Sequence, residues 1–288
     1  MRLVSYYADG APVAGILLGD EIVPAAALGA PTGARALLAA NDAGGLLALA
    51  ERAADSGAER VPLADVVLAA PIPDPEKIIC AGLNYRDHAE ESGQPIPEAP
   101  MWFAKFANSL IGSGADIVLP AAHAEYADYE AELAVVIGRV ARNVGVEGAL
   151  AHIAGAMPLN DVSARDLQLQ NPLWTSGKAV DTFAPCGPAL VTLDEVDSLT
   201  SLGLRTRIDG EVVQEGSTSN LIFGPAELVA WLSRTLTLVP GDIIATGTPA
   251  GVGAAQGRFL RDRQTVEIEV DGLGVLSNPV RAEAAAAS

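Results

Sequence analysis

Short β-type runs, separated by turn-forming residues, occupy most of the chain after residue 77 and limit the folds available to it. Eight runs have this character: Ile78–Ala81, Ile117–Leu119, Leu133–Ile137, Ala189–Leu193, Leu204–Asp209, Val212–Gln214, Ile243–Thr246 and Val266–Val270. Asp209-Gly210 and Asp271-Gly272 are typical hairpin turns, so several runs should pair antiparallel. The clearest helical pattern begins at Pro225 and continues through Leu228, Trp231, Leu232 and Leu236. These patterns predict a strand-dominated mixed α/β fold.

The first 70 residues form a separate pattern rich in alanine, leucine and glycine. Leu3–Tyr7 and Val13–Leu18 flank Asp9-Gly10, which predicts a hairpin. Two helical patterns follow, at Ala34–Ala40 and Gly45–Ala54. The proline-rich run at residues 71–75 can continue neither a helix nor a ladder of strands. We therefore predict a small N-terminal α+β accessory domain at residues 1–70 and a catalytic domain at residues 71–288.

The charge balance restricts the partners of the chain. Its 36 acidic residues outnumber its 18 basic residues and give a formal net charge of −18. Nucleic acids and anionic membranes bind basic surfaces, so neither is an expected partner. The longest stretch without a charged residue, Ile243–Gly257, is shorter than the ~18 apolar residues that a membrane helix needs.

The cysteines and the N-terminal residues indicate a cellular compartment. Cys80 and Cys186 lie in apolar runs, which is typical of buried free thiols in a reducing environment. The first residues reach an acidic side chain at Asp9 and lack the apolar core of a signal peptide. We therefore expect a cytoplasmic protein.

Two glutamates, Glu130 and Glu132, stand at the start of an apolar run that ends at Gly138. The run favours a strand, and residues two apart in a strand share a face. Two carboxylates that converge beside apolar residues are costly unless a positive charge lies between them, and a hard divalent cation would supply it. A solvated strand face is the alternative interpretation.

A third carboxylate, Asp161, follows a short apolar run that ends in Asn160. A carboxylate at the end of a buried strand can supply a third oxygen ligand, although Asp161 or Ser163 could instead cap the helix that follows. Three carboxylates without a nearby cysteine or histidine suit Mg²⁺ or Mn²⁺ and argue against structural Zn²⁺.

His88 and Glu91 form the best acid–base pair in the sequence. Asn84 is a plausible helix N-cap, which would place His88 and Glu91 on one face of the helix, three residues apart. Glu91 could hold one imidazole nitrogen while the other takes a proton from water. An ordinary surface ion pair is the alternative.

Two further segments could contact an anion. Lys178 lies between two apolar runs and could bind a carboxylate or an enolate, or lie on the surface. The glycine-rich segment 246–253 offers backbone amides and hydroxyls, or forms a simple turn. This segment lacks the Gly-Lys-Ser/Thr ending of a nucleotide-binding loop, so we do not expect nucleotide binding.

Together these segments resemble the fumarylacetoacetate hydrolase family, and they occur in family order. Six motifs carry the resemblance: GLNYRDHAEE at residues 82–91, DYEAEL at 128–133, NDVSARDLQ at 160–168, WTSGK at 174–178, QEGSTSNLIF at 214–223 and PGDIIATGTP at 240–249. The similarity extends from about Ile78 to Val280.

The resemblance implies a mixed β-sandwich roll, usually dimeric, with a small leading domain as in many prokaryotic members. It implies Mg²⁺ or Mn²⁺ bound by Glu130, Glu132 and Asp161. His88 and Glu91 would activate water, and Lys178 would stabilise an anion. We expect substrate contacts from a further set of residues: Tyr85, Lys105, Arg165, Gln168 and Thr248.

These expectations give a function. The primary prediction is hydrolysis of a C–C bond in a 2-oxo acid or 1,3-diketone of the acylpyruvate type, through an enolate at the metal. A base for water, His88 with Glu91, favours hydrolysis over two alternatives that share the enolate. These are isomerisation of a 2-hydroxyhepta-2,4-dienedioate-type substrate and decarboxylation of an oxaloacetate-type substrate. A metal- or metabolite-binding protein without turnover is the non-enzymatic alternative.

Overall fold

The computed structural model describes residues 1–121 and 124–284, so His123 lies outside the described residues. The strands are β1 (Arg2–Ala8), β2 (Ala11–Leu18), β3 (Glu21–Pro24), β4 (Val61–Pro62), β5 (Leu68–Ala69), β6 (Ile78–Gly82), β7 (Met101–Lys105), β8 (Leu110–Ile111), β9 (Ile117–Leu119), β10 (Ala127–Asp128), β11 (Ala131–Ile137), β12 (Ile153–Asn160), β13 (Ser163–Ala164), β14 (Ala184–Pro185), β15 (Leu190–Thr192), β16 (Gly203–Ile208), β17 (Glu211–Ser217), β18 (Ile243–Ala245), β19 (Thr265–Val270) and β20 (Gly274–Ala282). The α-helices are α1 (Ala34–Ala40), α2 (Ala43–Asp55), α3 (Arg86–Glu91), α4 (Val146–Ala149), α5 (Arg165–Gln168), α6 (Thr175–Lys178), α7 (Pro225–Ser233) and α8 (Gly253–Gln256).

A large sheet runs through the molecule in the order β4-β3-β2-β1-β15-β12-β11-β18-β6-β7, with β5 paired to β1. Strand β11 is antiparallel to both of its neighbours, whereas β18 and β6 run parallel. The N-terminal strands belong to this same sheet, because β1 pairs with β15 through Leu3 and Leu190. The division of the chain near residue 70 stays a prediction.

A second sheet, in the order β17-β16-β19-β20-β9, stacks on β11 and β12. Leu133, Val135 and Ile137 of β11 belong to the apolar core that includes side chains of this second sheet. The alternate residues Ala134 and Val136 belong to another core, which includes leucines of α1 and α2. Strand β11 is therefore covered on both faces, and this explains why its sequence is an almost continuous apolar run.

The predicted elements agree with the structure in most places. Each of the eight predicted strand runs overlaps an observed strand, with ends that agree within three residues. Asp9-Gly10, Asp209-Gly210 and Asp271-Gly272 connect antiparallel pairs, as predicted. Within the described residues, no helix is long and apolar enough to cross a membrane.

The predicted end of α7 was wrong. The helix begins at Pro225 as expected but ends at Ser233, so Leu236 lies beyond it. The carbonyl oxygen of Ser233 accepts hydrogen bonds from the Asn143 amide and the Arg142 guanidinium. These distant groups satisfy the free carbonyl at the end of the helix. Helical spacing alone could not indicate where the helix ends.

Candidate functional site

Three buried carboxylates meet at the ends of β11 and β12. Glu130 directly precedes β11, Glu132 lies in it, and Asp161 directly follows β12. The pairing of Ala131 with Asn160 brings these positions side by side. One ligand atom from each carboxylate lies within 4.8 Å of the others, and the three residues are at most 5% exposed. The structure thus brings together the three predicted metal ligands, which we call the acidic triad.

Three basic side chains, those of Lys105, Lys178 and Arg165, neutralise part of the acidic triad. Lys178 Nζ lies 2.6 Å from Glu130 Oε2 and 2.8 Å from Asp161 Oδ2, and Lys105 Nζ lies 2.6 Å from Asp161 Oδ1. Burial opposes ionisation of Glu130, but Lys178 and then Arg165 outweigh it and lower the pKa of Glu130 to about 2. Burial also opposes the charge of Lys178, yet Asp161 and Glu130 raise its pKa. Lys178 is therefore a buried ammonium and not a surface residue.

Glu132 is the member of the acidic triad that lacks a cation. Its Oε2 accepts a hydrogen bond of 2.7 Å from the Gly247 amide, and no basic nitrogen of the described residues lies within 4.0 Å of it. Burial, followed by the charges of Asp161 and Glu130, raises the pKa of Glu132 well above its usual value. Gly247 has a φ of +95°, and a Cβ there would lie 2.9 Å from Cβ of Asn84, so this donor requires glycine.

The donor set and its charge fit a divalent cation. The ionisable groups linked to the acidic triad by ion pairs, together with the triad itself, comprise four carboxylates and three cations: Asp128, Glu130, Glu132, Asp161, Lys105, Arg165 and Lys178. With all four carboxylates ionised, their formal charges add to −1, and a bound divalent cation would compensate this charge. The triad offers only carboxylate oxygens, which are the ligands that Mg²⁺ and Mn²⁺ prefer.

Asp128 has a role that the sequence analysis missed. Its carboxylate accepts hydrogen bonds from the amides of Gly253 and Ala254 at 2.7 and 2.9 Å, and from Arg165 Nε at 2.8 Å. Arg165 Nη2 in turn lies 2.6 Å from Glu130 Oε1. Asp128 therefore fixes the guanidinium that pairs with a triad carboxylate. The sequence contained a signal for this role, because residues 128, 130 and 132 are spaced two apart, as residues on one face of a strand are.

The predicted pair of His88 and Glu91 forms on α3. His88 Nδ1 lies 3.2 Å from Glu91 Oε2, and the other carboxylate oxygen accepts a 2.9 Å hydrogen bond from the Gly251 amide. This arrangement leaves His88 Nε2 available to act on a bound molecule. We call the pair the His88–Glu91 dyad.

Asn84 does not cap α3, so that prediction was wrong. Its amide donates to the carbonyls of Phe223 and Thr246, and its oxygen accepts from the Phe223 amide. Tyr85 is the N-cap residue and makes no side-chain capping bond. Asn84 instead joins three chain segments behind the site.

The glycine-rich segment 246–253 binds carboxylates of the protein itself. The amides of Gly247, Gly251 and Gly253 donate to Glu132, Glu91 and Asp128, respectively. These three amides are thus committed to side chains, and the segment positions both the triad and the dyad.

A cavity of about 510 Å³ connects these groups. Most predicted site residues line it: His88, Glu91, Glu130, Glu132, Arg165, Gln168, Lys178 and Thr248. Asp161, Lys105 and Tyr85 do not belong to this lining. Asp161 and Lys105 lie buried against each other, and the buried hydroxyl of Tyr85 makes no hydrogen bond within the described structure.

Residues 77–281 match the sequence model described as fumarylacetoacetate (FAA) hydrolase, C-terminal. The chain belongs to this family. The human protein named oxaloacetate tautomerase FAHD2A, mitochondrial, is 42% identical over 238 residues, which cover 81% of this chain and 76% of that protein. The resemblance predicted from the sequence motifs is therefore confirmed.

Solved structures of other fumarylacetoacetate hydrolase family members share the fold. A 5-carboxymethyl-2-hydroxymuconate delta-isomerase from Mycobacterium smegmatis is 36% identical with a TM-score of 0.79, and the match covers 99% of this chain and 100% of that one. Maleylpyruvate hydrolase from Sphingobium sp. SYK-6, in complex with manganese(II) and pyruvate, is 31% identical with a TM-score of 0.83 and the same coverage. The predicted strand-dominated fold is confirmed.

The relatives of this chain thus include enzymes named as a tautomerase, an isomerase and a hydrolase. The manganese-bound relative and the buried acidic triad together support a divalent metal site. The choice between Mg²⁺ and Mn²⁺, the homodimer and the cytoplasmic location stay predictions.

Proposed function

We propose that this chain is a divalent-metal-dependent hydrolase that cleaves a C–C bond in a 2-oxo acid or 1,3-diketone of the acylpyruvate type. The His88–Glu91 dyad carries the proposal. Hydrolysis needs a base that takes a proton from water, and His88 lines the same cavity as Glu130 and Glu132 while Glu91 holds its Nδ1. The homologous maleylpyruvate hydrolase supports this reaction class.

The reaction balances as an acylpyruvate anion plus water giving a carboxylate, pyruvate and a proton. A divalent cation bound by Glu130, Glu132 and Asp161 would stabilise the negative charge that develops on the substrate oxygens. His88 takes the water proton at Nε2, and Glu91 stabilises the resulting imidazolium. The new proton on the pyruvate methyl group is returned from this dyad or from solvent.

Other side chains of the cavity bind and orient the substrate. Lys178 uses two ammonium protons on Glu130 and Asp161, which leaves a third for a substrate oxygen. We propose Arg165, Gln168 and Thr248 as direct substrate contacts because they line the cavity. Lys105 would act through Asp161. Tyr85 would act from behind the cavity wall. Lys105 and Tyr85 are both buried, and neither belongs to the cavity lining.

Tautomerisation of an oxaloacetate-type substrate is the second candidate. The identity of 42% to the human oxaloacetate tautomerase favours it. The same dyad could move a proton between carbon and oxygen without attack by water.

Three separate assays on the purified protein with Mg²⁺ or Mn²⁺ distinguish these reactions. The first follows cleavage of acylpyruvates by the release of pyruvate. The second follows enol–keto interconversion of oxaloacetate, and the third follows release of CO₂. We expect metal-dependent pyruvate release to dominate. Interconversion alone would replace the proposal by the tautomerase, CO₂ release by a decarboxylase, and metal binding without turnover by a binding protein.

A further inference from the structure

One wall of the cavity is apolar, and it lies next to the charged groups. It consists of Leu83, Met101, Phe103 and Trp174, which we call the apolar wall. On β7, Met101, Phe103 and Lys105 alternate and share one face, with Met101 and Phe103 in the cavity and Lys105 against Asp161. Lys178 Nζ lies 5.1 Å from the ring centroid of Phe103, so the apolar wall begins beside the acidic triad.

The apolar wall is held in place by close packing. The Trp174 ring lies against the backbone of Gly82, where a Cβ would approach Trp174 Cζ3 to 2.5 Å. Its centroid is 5.7 Å from that of Phe103, in an edge-to-face arrangement. Leu83 has a φ of +48°, a backbone conformation that leucine rarely adopts. Such strained residues cluster at ligand sites, and here the strain accompanies a side chain that lines the cavity.

The basic side chains of the cavity lining are already paired. His88 contacts Glu91, Lys178 contacts Glu130 and Asp161, and Arg165 contacts Asp128 and Glu130. Beyond these, the described lining offers uncharged polar groups such as Gln94 and Ser92. A carboxylate placed at the apolar wall would therefore lose hydration, and the cations nearest to it are already shared with carboxylates of the protein.

The formal charge of the seven ion-paired groups at the acidic triad agrees with a substrate that carries one carboxylate. Their formal sum of −1 becomes +1 with a divalent cation, and one substrate carboxylate brings it to zero. A second carboxylate beside these seven groups would make their sum negative again.

We propose that the apolar wall binds the tail of the substrate, and that this tail is an uncharged apolar group, best an aryl group, and not a second carboxylate. This inference rests on the proposed function and specifies the acyl group of the acylpyruvate. A planar ring would pack against the aromatic rings of Phe103 and Trp174, and the 2-oxo acid end would then lie at the acidic triad.

Binding of substrate analogues that cannot be cleaved tests the inference apart from turnover. Calorimetric titrations of the Mn²⁺-loaded protein would compare 2-oxobutanoate, 2-oxo-4-phenylbutanoate and the diacid 2-oxoglutarate. Burial of the phenyl ring should make its carrier bind ~10–100-fold more tightly than 2-oxobutanoate. The diacid should gain nothing. Equal affinities, or a preference for the diacid, would overturn the inference.

Variants of the apolar wall and of the opposite face of β7 identify the surface responsible. Trp174→Ala and Met101→Ala should remove most of the phenyl preference, whereas the matched change Trp102→Ala should keep it, because Trp102 is outside the cavity lining. Circular dichroism and 2-oxobutanoate affinity report whether each variant is folded. A preference that survives in both Trp174→Ala and Met101→Ala would also contradict the inference.

Turnover separates this inference from the proposed function. Hydrolysis of benzoylpyruvate with a higher kcat/KM than acetylpyruvate or fumarylpyruvate supports both. Tight, Trp174-dependent binding without hydrolysis of any acylpyruvate supports the apolar wall and contradicts the hydrolase. Hydrolysis with equal kcat/KM for all three tails supports the hydrolase and contradicts the apolar wall.

Discussion

The ammonium of Lys178 lies between Glu130 and Asp161, and its charge therefore affects both carboxylates. Lys178→Met keeps most of the stem volume and removes the charge. If the third ammonium proton stabilises charge that grows in the transition state, kcat should fall by ~10²–10³-fold and KM should change less. Steady-state kinetics with saturating metal measures this split.

Two results would contradict this role of Lys178. A rise in KM without a fall in kcat would restrict the lysine to substrate binding, and unchanged parameters would remove it from the site. Lys77→Met is the matched control. It removes another lysine ion pair, with Asp242, outside the cavity lining.

His88 is the residue on which the hydrolytic proposal depends. His88→Ala should lower kcat by ~10²–10⁴-fold, because a positioned general base contributes that much. Metal affinity should stay nearly unchanged, since His88 is not among the proposed ligands, whereas Glu130→Ala should lose both. His152→Ala is the control, as His152 lies outside the cavity lining. Full turnover in His88→Ala would assign water activation to another group.

The residues of the site could be predicted to different degrees. Glu130, Glu132 and Asp161 follow from strand alternation and from a strand end, which are local patterns. The partners of these carboxylates are distant in sequence, and Lys105 is 56 residues from Asp161. Local patterns contain no information on such pairs, so only the fold shows that Lys105 pairs with a triad carboxylate.

Among the elements, α3 begins two residues after Asn84, whose side chain connects this part of the chain to two others. This buried side chain makes three hydrogen bonds, to both backbone groups of Phe223 and to the carbonyl of Thr246. Asn84→Ala leaves buried backbone groups unsatisfied and should lower the free energy of unfolding by about 2–4 kcal/mol. Urea denaturation measures the change.

A second asparagine gives the comparison. Asn41 makes one side-chain hydrogen bond, to the carbonyl of Leu37, at a partly exposed position. Asn41→Ala should therefore cost no more than about 1 kcal/mol. Equal losses in the two variants would show that the three hydrogen bonds of Asn84 do not add to the stability of the fold.

The existence of the elements was easier to predict than their ends. The apolar patterns found α1 with its observed bounds and the hairpins with their turns. The end of α7 and the start of α3 were missed because Arg142 and Phe223 come from remote segments. The unpaired backbone groups at helix termini form hydrogen bonds with neighbouring segments of the fold, and the spacing of residues in the sequence does not specify which segments these are.

At the scale of the molecule, the sequence predicted some strands of both large sheets but not the order in which they pair. Strand β1 pairs with β15, almost 190 residues away, so the N-terminal strands extend the sheet that carries the triad. Pairing between distant strands depends on the whole fold. The composition of the chain changes near residue 70, but this change does not indicate that β1 pairs with β15.

The whole protein should also respond to metal in a manner that depends on pH. Burial and the charges of Asp161 and Glu130 raise the pKa of Glu132 in the folded state above its value in the unfolded chain. A raised carboxyl pKa means that the metal-free fold loses stability as pH rises from about 4.3, the ordinary pKa, through the raised one. A divalent cation binds the ionised carboxylate, so its stabilising effect grows over the same range.

We therefore expect the difference in unfolding midpoint between Mn²⁺-loaded and EDTA-treated protein to be larger near about pH 8 than near about pH 5. Thermal unfolding followed by circular dichroism at both pH values measures it. Glu132→Gln removes the titrating group without changing its size, so the variant should lose most of the metal effect. Its metal-free form should also lose less stability at the higher pH than the metal-free wild type. An equal metal effect at both pH values would show that Glu132 does not contribute to the metal site as an ionised ligand.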